Sequence, residues 1–293
     1  MVQPPEQLDL PYFQLYPETR IGQIESRRHL SMDLIDLTVE LGREVSKHPG
    51  RLAIYDEGLV AAQLDRNMVI SRQGARLNNL ARADLIEFDP NPLLEALEQE
   101  QSRRSAEAEE ALLGCRLRAE DPAIGPEAYF AAELLSRWKK RFLVHLQPPI
   151  VNTILASPRA RQFADRRVTL VEAISCGSAI PLIPYVDPGA GLAREIRHKV
   201  NLWHDRARTA PKVIFLQNNG MLVLGDTCPD IIESTEKIMR AAEVFVGSSL
   251  LGGPLFLTVA NLGRAIDYRK LTSPPENDRT NAEPGFPSEP AGS

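Results

Sequence analysis

Apolar positions recur at helical spacing from Leu30 to Val45, with Leu30, Met32, Leu34, Ile35, Leu37, Leu41 and Val45 as one set. This predicts a helix over 29–48, stopped by His48-Pro49-Gly50. Residues 1–27 are weakly periodic, contain Pro and Gln, and read as an extended N-terminal arm. Short β-prone runs follow at Leu52–Tyr55, Leu59–Leu64 and Asn67–Ser71, with Asp65-Arg66-Asn67 where a hairpin turn belongs, and a further strand at Leu85–Phe88.

The pattern changes over 91–120, where Glu, Ala and Arg dominate and favour an exposed, solvated helical insertion. Residues 127–140 read as an amphipathic helix and Phe142-Leu143-Val144 as a short buried strand. Helix signals recur at 148–156 and 190–203. Val213–Leu216 and Met221–Leu224 flank Gln217-Asn218-Asn219-Gly220, a strong hairpin cue. A long helix is expected from about 230 to 247, with Asp230 near its start. Helices alternating with short strands predict a mixed α/β layered domain over 28–271 with strands in both directions. The 272–293 tail is rich in Pro, Gly and Ser and is expected to be disordered.

Charge removes one class of partner. The chain has 34 basic and 39 acidic residues and no long basic run, which argues against nucleic acid. Cys115, Cys176 and Cys228 are widely spaced without a CxxC pair, so a reducing, cytoplasmic setting fits better than a disulfide framework or a cysteine zinc site. The N-terminus lacks the basic and apolar regions of a signal peptide. The uncharged run from Val244 to Gly263 is long enough to span a bilayer. Gly252-Gly253-Pro254 interrupts it, however, so a helix end, a turn and a second short helix are expected, with no membrane span.

Three segments bear a resemblance. FLVHLQPPIVNTILAS (142–157), IPLIPYVDPGAGLAREI (180–196) and VIFLQNNGMLVLGDTCPDIIESTEKIMRAAEVF (213–245) follow one another with His145 and Asn219 74 positions apart. Upstream lies DEGLVAAQLDRNMVISRQGARLNNLARADLIEFD (56–89), and downstream GGPLFLTVANLGRAIDYRK (252–270). Their order and spacing resemble the class II aldolase/adducin family over about residues 30–270. The resemblance implies a layered α/β fold with a mixed sheet flanked by helices, and assembly as a homo-oligomer.

In that family an H-x-H pair and an N-H-G hairpin supply three histidines to a divalent metal. Here the pair reads His145-Leu146-Gln147 and the hairpin Asn218-Asn219-Gly220, so His145 is retained while Gln147 and Asn219 stand at the other ligand positions. One imidazole with two neutral amides is a poor zinc site. No cofactor is therefore expected, with zinc as the alternative. The family's phosphate loops, EGNxS and TPSG, fall on Gly58, Leu59, Ala61, Gln73 and Gly74, where two hydrogen-bonding side chains have become aliphatic. Backbone N–H groups at Gly58 and Gly74, or charge from Arg72 or Arg76, could still serve an anion. The family's catalytic glutamate falls on Glu127 or, with a different gap, on Tyr129.

Two functions follow from these departures. The first is a catalytically degenerate member that binds a small sugar phosphate or carbonyl compound, or acts as an interaction module. The second is an active lyase or isomerase on a phosphorylated sugar, with His145 holding a metal helped by Glu127 or Glu133. Other constellations are weaker. His198 and His204 fall on different sides of a helix, Ser175-Cys176-Gly177 is no nucleophile elbow, and Gly189-Ala190-Gly191 reads as a helix entry.

Overall fold

A computed structural model describes residues 33–47, 52–53, 57–98 and 104–264. The expected arm, the disordered tail, and the helix positions Leu30 and Met32 lie outside these residues. Helix α1 spans Leu34–Lys47 and buries Thr38, Val39, Leu41, Gly42 and Val45 along one side. Asp33 starts it by accepting the Asp36 N–H at 2.8 Å. Leu52 and Ala53, expected in a strand, form a buried bend; the rest of that run is outside the described residues.

The other expected strands form over the β-prone runs, as β1 (Leu59–Gln63), β2 (Met68–Ser71) and β3 (Leu85–Phe88). Helices α2 (Asn91–Glu98) and α3 (Arg104–Gly114) follow. This region departs from the expected solvated helix. Leu93, Leu97 and Cys115 are buried, and the Cys115 carbonyl accepts the Asp89 N–H at 2.8 Å. Helix α4 spans Ala128–Trp138 and leads into β4 (Phe142–Leu146). Pro148 and Pro149 then open α5 (Pro149–Leu155), where a missing N–H costs nothing.

Two short helices the pattern does not reveal, α6 (Ala160–Asp165) and α7 (Leu170–Cys176), precede the two-residue strand β5 (Leu182–Ile183). Helix α8 (Ala190–Ala207) leads to the expected hairpin of β6 (Val213–Leu216) and β7 (Met221–Gly225). Helix α9 (Cys228–Leu250) starts at a capping box, in which Asp230 N–H donates to Thr227 Oγ1 and Thr227 N–H to Asp230 Oδ2, each at 3.2 Å. It ends in a turn before a short helical stretch over 259–264, as expected for the uncharged run. No helix among the described residues is long and apolar enough to cross a membrane.

The seven strands form one sheet in the order β3-β2-β1-β4-β7-β6-β5, antiparallel except for β5 and β6. Alternation along each strand divides the core into two layers. Val60, Ala62, Val144, Leu146, Phe215 and Val223 pack with residues of α1, α5, α6, α7 and α9. Leu59, Ala61, Leu143, Ile214 and Leu222 pack with α2, α4 and α8. This is the expected α/β class. His145 shares the parity of Leu143 and so projects on the α4 side, at the end of the central strand.

Candidate functional site

Strand pairing builds the site. In β4, His145 pairs with Leu222 of β7 and with Leu59 of β1, so it sits between the β6–β7 turn and the chain entering β1. Two glycines permit this approach. Gly58 has φ 148°, and a Cβ there would come 3.0 Å from the His145 carbonyl oxygen. Gly220 has φ 79°, and a Cβ there would fall on the Leu146 carbonyl oxygen and press on Gln147. Within the turn, the left-handed residues are Asn218, at φ 60°, and Gly220. Asn219 lies between them, and its N–H donates to the Leu216 carbonyl at 3.0 Å.

Asn219 thereby meets both His145 and Gln147. His145 Nε2 lies 2.7 Å from the Asn219 main-chain oxygen. A carbonyl only accepts, so Nε2 carries the proton and Nδ1 the lone pair. Gln147 Nε2 donates to Asn219 Oδ1 at 3.2 Å. Burial pushes the imidazole below its ordinary value, against smaller upward pulls from the Asn219 carbonyl and the Glu127 carboxylate. Burial favours the neutral ring, and the Asn219 carbonyl requires its proton on Nε2. Phe130 meets the ring edge to face at 5.8 Å between centroids.

Solved structures share this arrangement of elements. The N-terminal class II aldolase domain of a conserved protein from Thermoplasma acidophilum superposes with TM-score 0.58 at 18% identity, covering 74% of this chain and 94% of that one. An L-fuculose 1-phosphate aldolase gives 0.60 at 13% identity, covering 82% and 97%. YgbL from Escherichia coli gives 0.58 at 17%, covering 80% and 97%. This chain has a class II aldolase-like fold. No family model matches its sequence, and no curated protein matches it.

The fold implies a zinc ion held by three side chains, and the donors present do not suit one. His145 Nε2 is protonated and engaged. The side chains at the other two positions bond to each other, and both are neutral amides, which bind zinc poorly. Among the described residues no group of three or more His, Cys, Asp or Glu side chains gathers as a ligand set. Glu133, a candidate helper, is buried with one oxygen 2.6 Å from Arg197 and the other 3.5 Å from Arg137.

The remaining expected site residues separate into two groups. Glu127 immediately precedes α4 and is half-buried; its main-chain carbonyl accepts the Ala131 N–H at 3.1 Å, and its side chain makes no cap bond to the helix. Its carboxylate lies over Gly125, near enough to His145 to act on the imidazole through its charge. Tyr129 is buried, and its hydroxyl donates to the Ala108 carbonyl of α3 at 2.8 Å, with burial pushing its pKa up to about 12. It ties α3 to α4. Leu59 and Ala61 are buried in the core layer on the α4 side. Gln73 and Gly74 form an exposed turn, and Arg72 Nε donates to Asp84 Oδ1 at 2.9 Å. Arg76 is exposed on the same loop. The sequence did not single out Phe130; its signal was the three-residue spacing from Glu127 on an amphipathic helix.

Proposed function

We propose that this chain no longer performs metal-dependent carbon–carbon bond chemistry. On this reading it keeps the aldolase-like fold and uses it to bind a small compound of the sugar-phosphate or carbonyl type, or to serve as an interaction module. One observation carries the proposal. His145, Gln147 and Asn219 are closed on one another through two hydrogen bonds. A metal at this place would polarise the substrate carbonyl and stabilise the enediolate formed on proton removal. Without it, a carboxylate such as Glu127 has no activated carbon acid to act on.

Protein purified without chelators tests this reading. Elemental analysis is expected to find far less than one zinc, manganese or cobalt per chain, with chelator leaving the fold unchanged. Near-stoichiometric metal that disappears in His145→Ala would overturn it. It would favour the second reading, an active lyase or isomerase on a phosphorylated sugar. That alternative draws support from the charge of the Glu127 carboxylate, which acts on His145. The same proposal places the protein in the cytoplasm as a homo-oligomer. Three free buried thiols support the compartment. The exposed Leu250, Leu251, Leu255 and Val259 support the assembly.

A further inference from the structure

Charge is unevenly spread over this chain, whose net charge is −5. Strands β4 and β6 each pair antiparallel with β7, so both begin at the same end of the sheet, away from His145. Helix α4 runs into β4 and α8 into β6, so both helices finish at that end. Trp138 of α4 and His204 of α8 join them, with ring centroids 4.9 Å apart, and the Arg137 guanidinium lies 6.0 Å from the Trp138 centroid. Lys139, Arg141, Arg206 and Arg208 follow closely in the chain, are exposed, and make no ion pair among the described residues. The carboxylates beside these helix ends are largely committed elsewhere. Asp226 is held by Lys140 at 2.6 Å, Glu133 lies between Arg197 and Arg137, and Asp230 caps α9. Asp65, in the adjoining β1–β2 turn, is offset by Arg66, which leaves Asp205 to face the four cations.

The backbone adds a second observation. Lys139, at φ 50°, and Arg208, at φ 56°, end α4 and α8 in the left-handed region, where glycine is the usual residue. A helix dipole accounts for a cation in the last turn. It does not account for a long side chain on a left-handed backbone at both ends, nor for Arg141 at the start of β4. Strain kept at two adjoining corners points to a surface with a use. The outer side of α8 continues this surface. His198, Leu202 and Arg206 are exposed at four-residue spacing, and Leu202 is an aliphatic side chain open to solvent among basic groups.

We propose that this end of the sheet docks an acidic protein segment, with its carboxylates facing Lys139, Arg141, Arg206 and Arg208 and one apolar side chain resting on Leu202. Carboxylates complement ammonium and guanidinium donors, and a basic rim around an apolar contact sets both encounter rate and register. Nucleic acid suits the surface less well. The Trp138 ring is already engaged by His204 and Arg137, so it offers no free face for a base, and both helices end here rather than lying along a groove. A lipid surface needs more apolar area than one leucine. The inference concerns a surface away from His145 and goes beyond the reading given above. It holds whether or not His145 binds a metal.

The probe is a labelled glutamate-rich peptide with one central leucine, titrated with the full chain and followed by fluorescence anisotropy at low and at physiological ionic strength. Binding is expected to weaken with salt and to fall at least about tenfold in Arg141→Glu/Arg206→Glu. Arg264→Glu changes an exposed cation elsewhere and is expected to leave it unchanged. Leu202→Ala is expected to weaken this peptide and to spare a leucine-free one. Lys139→Gly and Arg208→Gly relieve the backbone, so they are expected to raise the melting temperature while weakening binding. Equal binding by the wild type and the charge-reversed variant would overturn the proposal, as would failure of the peptide to bind. Tighter binding of oligothymidylate or of phosphatidylserine vesicles than of the peptide would also overturn it. Glycine variants that bind as tightly as the wild type would show that the strained caps serve no partner, and the proposal would fail.

Discussion

In the helical layer behind the sheet, each guanidinium nitrogen of Arg167 has an acceptor, whereas at His145, on the opposite face, polar groups remain open. Arg167 donates to Glu172, to the Ala164 carbonyl, and through Nε to the Ser178 carbonyl at 3.3 Å. Glu172 also accepts the Val168 N–H at 3.2 Å, and neither side chain of the pair is exposed. Around His145, by contrast, Gln147 is exposed, and the half-buried Glu127 side chain makes no cap bond to its own helix. Saturation marks a group that holds the fold together, because an unpaired buried charge is costly. Open polar groups beside a buried imidazole mark a place where a ligand can complete the set.

Breaking the saturated centre should have the largest effect. Glu172→Ala leaves Arg167 buried without its counter-charge and is expected to cost about 3–5 kcal/mol in chemical denaturation. A loss below about 1 kcal/mol would mean that water reaches the pair and the contrast is false. Next comes Gly220→Ala. The left-handed backbone and the collision with the Leu146 carbonyl are expected to cost about 2–4 kcal/mol. The variant should also release the Asn219 turn from His145. Retention of the His145–Asn219 contact with unchanged stability would show that the turn geometry is not what holds it. The smallest effect on folding is expected from Gln147→Ala. It removes one exposed neutral hydrogen bond, worth about 1 kcal/mol or less. A loss of several kcal/mol would make Gln147 a structural residue.

Much of the fold was readable because β1, β2, β3, β6 and β7 are short apolar runs separated by turn residues and because Asp230 marks the start of the last long helix. Helices α6 and α7 were not readable. They are six and seven residues long, too short for a periodic signal, and the buried Arg167 and Glu172 look like surface residues in a sequence. The 91–120 run was misread for a related reason. Its Leu93 and Leu97 have core spacing, but the surrounding glutamates and arginines suggested a solvated face. At the site, Gln147 and Asn219 could be picked out from the order and spacing of the segments that carry them. Their hydrogen bond was not, because it depends on the β4–β7 register that brings the turn beside Gln147. The role of Tyr129 as a tie to α3 likewise depends on the docking of α3, which no local pattern encodes.

Whether His145 can serve a metal depends on which ring nitrogen carries the proton. Two-dimensional proton–nitrogen correlation of the imidazoles, recorded with and without added zinc, reads this directly. The expected result is a neutral ring protonated at Nε2, hydrogen-bonded to Asn219, and unmoved by the metal. A His145 ring that binds zinc through Nε2 would contradict the account.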